Sequence, residues 1–356
     1  MDFTFSEDQL VFCDSVKQFL QKEVTADSLR TGWDSQTGRD EALWQQMVEL
    51  GLTAMLVPEQ FGGLGMSELD FVLLAQECGR VALAEPLVET ALVATPLLAC
   101  QADRDARCAT LLEKIATGER RVAVGHAVNP TVSDAHIADY LILPSGNEIH
   151  LLERERVCLI PLQSVDPSRR LFKVEWRPEE ETLLVNGARG VSAMAATLNR
   201  GALGAAAQLI GLAEAMVDMT VQYTTDRFQF GRAIGSNQAL KHHMANCAVK
   251  TEFAKPALYR AAYTVSQRPV HADFAVSHAK VAAGEAALLA AKNGIQSHGA
   301  MGYTWECNLH IWMKRAWALD KFWGHSGFHK NRLHQWLMNP NAKIGADKTF
   351  GEQHKI

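Results

Sequence analysis

Cysteine, positive charge and long apolar runs are all scarce in this sequence. Its seven cysteines stand singly among 356 residues, without a CxxC pair, and an odd, scattered set argues against a disulfide framework or a zinc site. The formal net charge of −5, with an isoelectric point near 6.2, offers nucleic acid no large basic surface. We therefore expect neither a bound metal nor a nucleic-acid partner.

The sequence also lacks the signals that direct a chain into or across a membrane. No apolar run reaches the roughly 20 residues that a spanning helix needs. The first ten residues, MDFTFSEDQL, are acidic. They have neither the basic and apolar regions of a signal peptide nor the arginine-rich character of a transit peptide. We therefore expect a cytoplasmic protein without a membrane partner.

The composition is that of an ordinary globular protein, with 47% hydrophobic and 21% charged residues. The chain is longer than one compact core usually needs, and its pattern divides into three regions. In residues 1–118, apolar residues such as Leu10, Val11, Val16 and Leu20 recur at helical spacing after Ser6, a favourable helix N-cap. One proline and three glycines between positions 58 and 65 interrupt this pattern. We predict an N-terminal helical domain over residues 1–118.

The second and third regions differ in their periodicity. Residues 119–187 contain short β-prone runs separated by turn residues, which predict a small central β domain with antiparallel strands in a sheet or barrel. Residues 188–356 predict a C-terminal four-helix bundle, with long alanine-rich helices at 193–223, 239–267 and, after Pro269, 272–297. The last fifteen residues are polar, and we expect them to fray. The predicted fold class is therefore mainly α with a small central β domain.

Three short segments combine glycines with residues that can bind an anion. Residues 57–65 read VPEQFGGLG, residues 226–235 read DRFQFGRAIG, and residues 296–303 read QSHGAMGY. A pyrophosphate needs cationic and amide donors held close together, which Arg227 and Gln229 can supply. Gly231 and Gly235 allow the backbone to approach a ligand. The alternative is that Arg227 pairs with Asp226 or with a helix C-terminus and that the glycines only end helices.

Taken together, the segments resemble the VPEEYGGLG turn, the R-x-Q-F-G-x-x-I-x-x-x-Q signature and the Q-x-H-G-G-x-G-Y/F turn of the acyl-CoA dehydrogenase family. Their order and separations match, and the resemblance covers nearly the whole chain. It implies FAD as the cofactor, an acyl-CoA as the substrate, an electron-transfer flavoprotein as the electron acceptor, and a homo- or hetero-tetramer. The residues implied to contact FAD, several of them across a subunit interface, are Arg227, Gln229, Phe230, Gly231, Gln238, Gln296, Gly299 and Gly302.

The catalytic base of this family is missing from the sequence. The reaction that the resemblance implies is α,β-dehydrogenation, in which a carboxylate removes the α-proton while hydride leaves the β-carbon. Such a base belongs in an apolar pocket that tunes its pKa. Of the family's two base positions, one lies in an E-G-T-S segment and matches Trp323. The other opens the first bundle helix in an E-R-L pattern and matches Asn199. Neither side chain can accept the proton.

A second departure concerns the family's T-E-P-x-A-G-S-D loop, which cradles the flavin ring. The corresponding residues 125–134 read GHAVNPTVSD, and only the last two residues match. Both departures resemble the smaller, base-lacking subunit of heteromeric acyl-CoA dehydrogenases that act on steroid side-chain thioesters. In that arrangement the partner subunit supplies the glutamate and most of the flavin site.

Two other interpretations remain open. The first is a homomeric dehydrogenase whose base has moved, with Glu306, Asp320 and Glu214 as candidates. The second is a non-catalytic acyl-CoA-binding or structural protein without flavin. The small residues from Gly201 to Ala207 either leave room for a bulky acyl group or allow close helix packing.

Overall fold

The computed structural model describes residues 4–267, 272–340 and 342. It confirms the predicted class, since helical regions precede and follow a small region of strands along the chain. Pro269 and the tail beyond Ala342 lie outside the described residues, as does almost all of the segment predicted to fray.

The N-terminal region begins with a helix whose start the sequence specifies. The Ser6 side chain accepts from the backbone of Gln9, whose own side chain accepts from the backbone of Ser6, which forms a capping box. Val16 and Leu20 are buried, whereas Leu10 and Val11 are exposed, so the buried face is narrower than predicted. The helices are α1 (Glu7–Glu23), α2 (Ala26–Asp34), α3 (Glu41–Glu49), α4 (Glu68–Arg80), α5 (Thr95–Ala99, preceded by a π-helical stretch at Val88–Ala94) and α6 (Ala106–Ala116).

The glycine-rich turn at 57–65 is required by close packing of the backbone. A Cβ on Gly63 would lie 2.0 Å from the carbonyl oxygen of Val57, and Gly62 has a φ of +79°. Any other residue at position 63 would therefore force the turn apart. The turn links α3 to α4, as its proline and glycines predict.

The central region contains two small sheets. The first has the order β1 (Val122–Val124), β3 (Tyr140–Ser145), β4 (Glu148–Glu153) and β7 (Leu183–Val185). The second has the order β2 (Val132–Ser133), β6 (Leu171–Glu175) and β5 (Cys158–Leu162). All ladders are antiparallel, as predicted, except β1–β3, which is parallel. The chain segment from β1 to β3 passes through β2 in the other sheet, so the two neighbours run in the same direction.

The C-terminal region contains the long helices α7 (Gly187–Asp226), α8 (Gln238–Gln267) and α9 (Ala272–His298), followed by α10 (Leu309–Lys321) and α11 (Ser326–Leu337). A two-strand hairpin, β8 (Phe228–Gln229) and β9 (Arg232–Ala233), joins α7 to α8. Helix α7 is longer than the predicted 193–223 because its first turns continue directly from β7. It packs so closely on α4 that a Cβ on Gly211 would lie 1.9 Å from the carbonyl oxygen of Gln76.

Helix α7 is also the one described helix that is long and apolar enough to cross a membrane. The core helix of a soluble fold passes the same test, and 78% of the apolar window of α7 is buried against other helices. Its apolar residues are therefore accounted for by packing inside this chain.

Candidate functional site

The hairpin after α7 presents its side chains to solvent. Gln229 pairs with Arg232 across a tight turn in which Phe230 and Gly231 both have positive φ, +53° and +79°. A positive φ on a phenylalanine is strained, and the Phe230 ring is fully exposed. An exposed aromatic ring held in a strained turn indicates a candidate binding surface for a ligand or a partner chain. Gln238 begins α8 after a short 3-10 turn at Ile234–Ser236 and is also exposed.

Arg227 is available for an anion. It ends α7 and is exposed, and no carboxylate of the described residues lies within ion-pair distance of its guanidinium group. Its neighbour Asp226 instead accepts a 2.7 Å hydrogen bond from Gln222. The pairing of Arg227 with Asp226 is therefore not formed, whereas Arg227 does lie at a helix C-terminus, that of α7.

The turn that follows α9 lies beside this hairpin. The rings of Tyr223 and His298 stack with centroids 4.2 Å apart, and the Tyr223 hydroxyl donates to the His298 carbonyl oxygen over 3.3 Å. Gly299 has a φ of +59°, and nothing lies within 4 Å of a Cβ added there. Gln296 and Gly299 are exposed, whereas Gly302 is buried against His298. The structure thus brings the second and third predicted segments to neighbouring places.

His298 itself has a structural role. Its Nδ1 donates to the Gly294 carbonyl oxygen over 2.8 Å, and burial lowers the pKa of the imidazole. The solvent-facing surface around His298, here called the outer surface, is formed by Arg227, Gln229, Gln238, Gln296 and Gly299. It offers a guanidinium group without a described carboxylate partner, exposed amides and open glycine backbone, which is the donor set that a pyrophosphate requires. These residues fit the diphosphate part of FAD.

The position matched to the family's C-terminal base is a closed interior site. The Trp323 side chain is 1% exposed, and its φ is +56°. Its backbone N–H donates to Oδ1 of Asn129, from the loop between β1 and β2, over 2.8 Å. His329 Nε2 lies 2.9 Å from the Trp323 carbonyl oxygen, so Nε2 carries the proton and donates.

Gly201 is the residue of α7 that faces Trp323. A Cβ on Gly201 would lie 2.1 Å from Cδ2 of the indole. Asn199 is two residues away, about 200° around the helix, and its side chain instead donates to Asp273 over 2.8 Å and accepts from Arg332 over 3.0 Å. Gly201, and not Asn199, is thus the residue of this part of α7 that faces Trp323, while the match of Asn199 to the family's base position stays a prediction.

The loop that corresponds to the flavin-ring cradle is already occupied by internal contacts. Ser133 accepts a 2.6 Å hydrogen bond from Arg169, and Asp134 forms a buried ion pair with Arg39. The His126 ring packs 5.7 Å from that of Trp323. Ser133, Asp134 and His126 are thus engaged within this chain, whereas Nδ2 of Asn129 in the same loop is buried and has no hydrogen-bond partner among the described residues.

The three candidates for a relocated base lie in unsuitable surroundings. Glu306 is exposed, and hydrogen bonds lower its pKa. Asp320 is buried but pairs with Lys321 at 2.7 Å. Glu214 pairs with Lys255 at 2.8 Å and with Arg80 at 3.5 Å. None combines an apolar pocket with a free carboxylate, which is what a tuned base needs.

Sequence reasoning did not find several residues of the closed site. The side chains of Asn129 and His329 bind backbone groups of Trp323, and such contacts leave no motif in the sequence. Lys280 is buried and donates to the carbonyl oxygens of Leu319 and Asp320, at 3.0 Å each. Gly201 was visible only as one of several small residues, and the structure assigns it to close packing. Within the described part of the chain, no group of three or more His, Cys, Asp or Glu side chains is arranged to hold a metal ion.

An N-terminal helical region, two small sheets and a bundle with an exposed cationic hairpin define an acyl-CoA dehydrogenase-type fold. Residues 6–119 match the model of the N-terminal domain of acyl-CoA dehydrogenases, and residues 188–338 match the C-terminal domain. The chain is 34% identical to the acyl-CoA dehydrogenase IpdE2 of Mycobacterium tuberculosis over 312 residues, 87% of this chain and 91% of that protein. This protein therefore belongs to the acyl-CoA dehydrogenase family, whose members are FAD-binding flavoproteins.

Solved structures with the same fold include two heteromeric or steroid-related members of the family. The chain superimposes on a chain of the ChsE4–ChsE5 complex of M. tuberculosis with a TM-score of 0.83 and 21% identity, covering 96% of this chain and all of that one. It superimposes on a chain of the Tcur3481–Tcur3483 steroid acyl-CoA dehydrogenase with a TM-score of 0.84 and 22% identity, covering 95% and 99%. At these identities the likeness concerns the fold.

Proposed function

We propose that this chain is the base-lacking subunit of a heteromeric, FAD-dependent acyl-CoA dehydrogenase. The observation that carries the proposal is the contact between Trp323 and Gly201, because it fills the place that a catalytic carboxylate needs. The outer surface around Arg227 is intact, which is expected of a subunit that completes a flavin site on a neighbour. The ChsE4–ChsE5 complex, which has two differently named subunits, supports the same assembly.

In this assembly, FAD supplies an acceptor for the hydride that leaves the β-carbon of the acyl group. The residues of this chain bind and orient rather than move a proton. Arg227 neutralises part of the diphosphate charge, and Gln229, Gln238 and Gln296 donate amide hydrogen bonds to the nucleotide. Phe230 packs against the nucleotide and excludes water from it. The partner subunit provides the glutamate that removes the α-proton.

The proposed substrate class is the CoA thioester of a steroid side chain. The steroid part of this proposal is supported by the steroid acyl-CoA dehydrogenase that shares the fold. The sequence similarity to the mycobacterial acyl-CoA dehydrogenase IpdE2 supports an acyl-CoA as the substrate. An electron-transfer flavoprotein is the proposed acceptor of the electrons.

The test is to purify the chain alone and then together with a candidate base-bearing subunit. Visible absorption reports flavin content, mass in solution reports assembly, and bleaching of the flavin by an acyl-CoA reports the reaction. We expect a flavin-poor, inactive chain that becomes yellow and active only in the complex. A yellow single-chain oligomer that bleaches with an acyl-CoA would overturn the proposal.

A further inference from the structure

The indole of Trp323 is enclosed by groups from separate parts of the fold. Gly201 on α7 lies against one side, so closely that no Cβ can be added there. His126, from the loop between β1 and β2, and the adjacent Phe322 lie with ring centroids 5.7 and 5.2 Å from the indole. The side chain is almost fully buried, so the space that it fills is closed to solvent.

The backbone around Trp323 is held as firmly as its side chain. Its N–H and carbonyl groups are bound by Asn129 and His329. The ammonium group of Lys280 binds the carbonyl oxygens of Leu319, Asp320 and Gly324 at 3.0, 3.0 and 3.4 Å. Trp323 is thereby kept at a φ of +56°, which a bulky residue adopts only when its surroundings impose it.

We infer that Trp323 is a fixed stopper that closes the acyl-binding space of this chain, with Gly201 as its complementary seat and Asn129, Lys280 and His329 as positioning residues. The inference rests on the proposed function, which equates Trp323 with a position of the family's base. A base must lie within hydrogen-bond reach of the proton that it removes, so the side chain at its position borders the reacting carbons. Moving this tryptophan would break contacts with the β1–β2 loop, α7 and α11 together, which distinguishes a stopper from a gate.

The first experiment removes the stopper from the purified chain, without partner or flavin. Trp323→Ala leaves an apolar space about the size of an indole ring, which binds small aromatic molecules when it stays dry. We expect a melting temperature roughly 5 to 15 °C below that of the unmodified chain. Indole added to Trp323→Ala should raise its melting temperature again by several degrees. The control Trp317→Ala removes a half-exposed tryptophan of α10 and should respond little to indole.

The same variant tests whether the space accepts an acyl group. We expect butyryl-CoA to bind Trp323→Ala, to compete with indole there, and not to bind the unmodified chain. Stoichiometric binding of butyryl-CoA to the unmodified chain would overturn the inference. So would a variant that binds indole but is indifferent to butyryl-CoA, because the filled space would then be unrelated to the acyl group.

A second pair of variants covers the case in which Trp323→Ala does not fold. Gly201→Ala should lower the melting temperature by roughly 3 to 10 °C, because the added methyl overlaps the indole. In a Trp323→Leu background, Gly201→Ala should lower the melting temperature by less than half of the amount by which it lowers that of the unmodified chain. Gly32→Ala, where the new methyl meets only ordinary contacts, serves as the control. Equal losses in both backgrounds would contradict the role of Gly201 as the seat of the stopper.

These measurements separate the inference from the proposed function. The stopper is tested by melting and ligand binding of the isolated chain, whereas the proposed function is tested by turnover with and without a partner. A chain that needs a partner for activity yet binds butyryl-CoA alone would refute only the stopper. A chain that turns over an acyl-CoA alone would refute the proposed function directly.

Discussion

The Nζ of Lys280 lies 3.0 Å from the backbone carbonyl oxygen of Asp320, and this lysine is 2% exposed. Burial lowers the pKa of its ammonium group to about 8, although the charge of Asp320 acts in the opposite direction. The amino group also reaches the carbonyl oxygen of Leu319, in the last turn of α10, and that of Gly324, next to Trp323. A buried cation therefore holds the backbone of this turn.

Lys280→Met tests this arrangement. The variant keeps an apolar stem but leaves three carbonyl groups without their donor, so we expect a loss of about 2 to 4 kcal/mol in the free energy of unfolding. Denaturant unfolding at pH 8 measures it. Lys292→Met, at an exposed position of the same helix α9, is the matched control and should change little.

The pH dependence of the same variant has a definite sign. The pKa of Lys280 in the folded state is below its pKa in the unfolded chain. The unfolded state therefore binds more protons between about pH 8 and 10.5, so the free energy of unfolding of the unmodified chain rises with pH through this window. Lys280→Met lacks this gain. The stability gap between the two proteins should therefore widen by up to about 3 kcal/mol from pH 8 to pH 10, and a gap that narrows would contradict the assignment.

Asn199→Glu should not create an active single-chain enzyme. The Asn199 side chain lies between Asp273 and Arg332, which bridge each other at 2.8 Å, and it does not face Trp323. A glutamate there would place a second carboxylate beside Asp273, at a cost of about 1 to 3 kcal/mol in stability. Flavin reduction by an acyl-CoA in the purified variant measures activity, and any turnover would restore Asn199 as the base position.

The elements of this fold differ in how far the sequence predicts them. Helix periodicity, the Ser6 cap and the turn at 57–65 are local features, so the order of helices, strands and long helices could be predicted from the residues. The segments around Arg227 and Gly299 were predicted for the same reason, since each is continuous in sequence. Their functional roles remain predictions.

The interior site could not be predicted in the same way, because its members are distant in sequence and meet only in the folded chain. Gly201, Asn129 and Lys280 each look ordinary in isolation, and their meaning comes from contact with the turn at Trp323. A register difference of two residues on α7 also turns a side chain about 200° around the helix axis. Which of Asn199 and Gly201 faces Trp323 could therefore be read only from the folded structure.

Glu85→Gln should stabilise the protein above pH 7. The Glu85 side chain is 6% exposed and accepts a 2.9 Å hydrogen bond from the Asp40 N–H, and burial raises the pKa of its carboxyl group to about 7. Ionisation is therefore easier in the unfolded chain, so the stability of the unmodified protein falls as pH rises from about 4.5 to 7. The neutral amide keeps an acceptor for Asp40 and avoids this loss.

The expected gain is up to about 3 kcal/mol at pH 8 and close to zero below pH 4.5. Denaturant unfolding across this range measures it. Glu49→Gln, which changes an exposed carboxylate on α3, should show no such pH-dependent difference. A variant that is less stable than the unmodified chain at pH 8 would show that the Glu85 charge is favourable in the fold.

Glu306→Gln should leave the activity of the assembled enzyme unchanged. Glu306 is exposed and its pKa is lowered, whereas a base that must take a proton in an apolar pocket has a raised one. Steady-state turnover of the complex measures the effect. A loss of turnover with flavin still bound would revive the homomeric interpretation with a relocated base.

Arg227→Met should weaken flavin binding by the assembled enzyme without unfolding it. The guanidinium group is exposed and has no described carboxylate partner, so its removal costs the fold little, while a charge-assisted hydrogen bond to a diphosphate is worth about 1.5 to 3 kcal/mol. We expect the dissociation constant for FAD to rise about 10- to 100-fold. Equilibrium dialysis of the complex, followed by visible absorption, measures this dissociation constant.

Arg232→Met is the matched control, because it removes the same charge from the same hairpin, where Arg232 donates instead to Asn237 over 2.6 Å. Equal weakening by both variants would indicate a general effect of positive charge, whereas a loss confined to Arg227→Met supports direct contact with the cofactor.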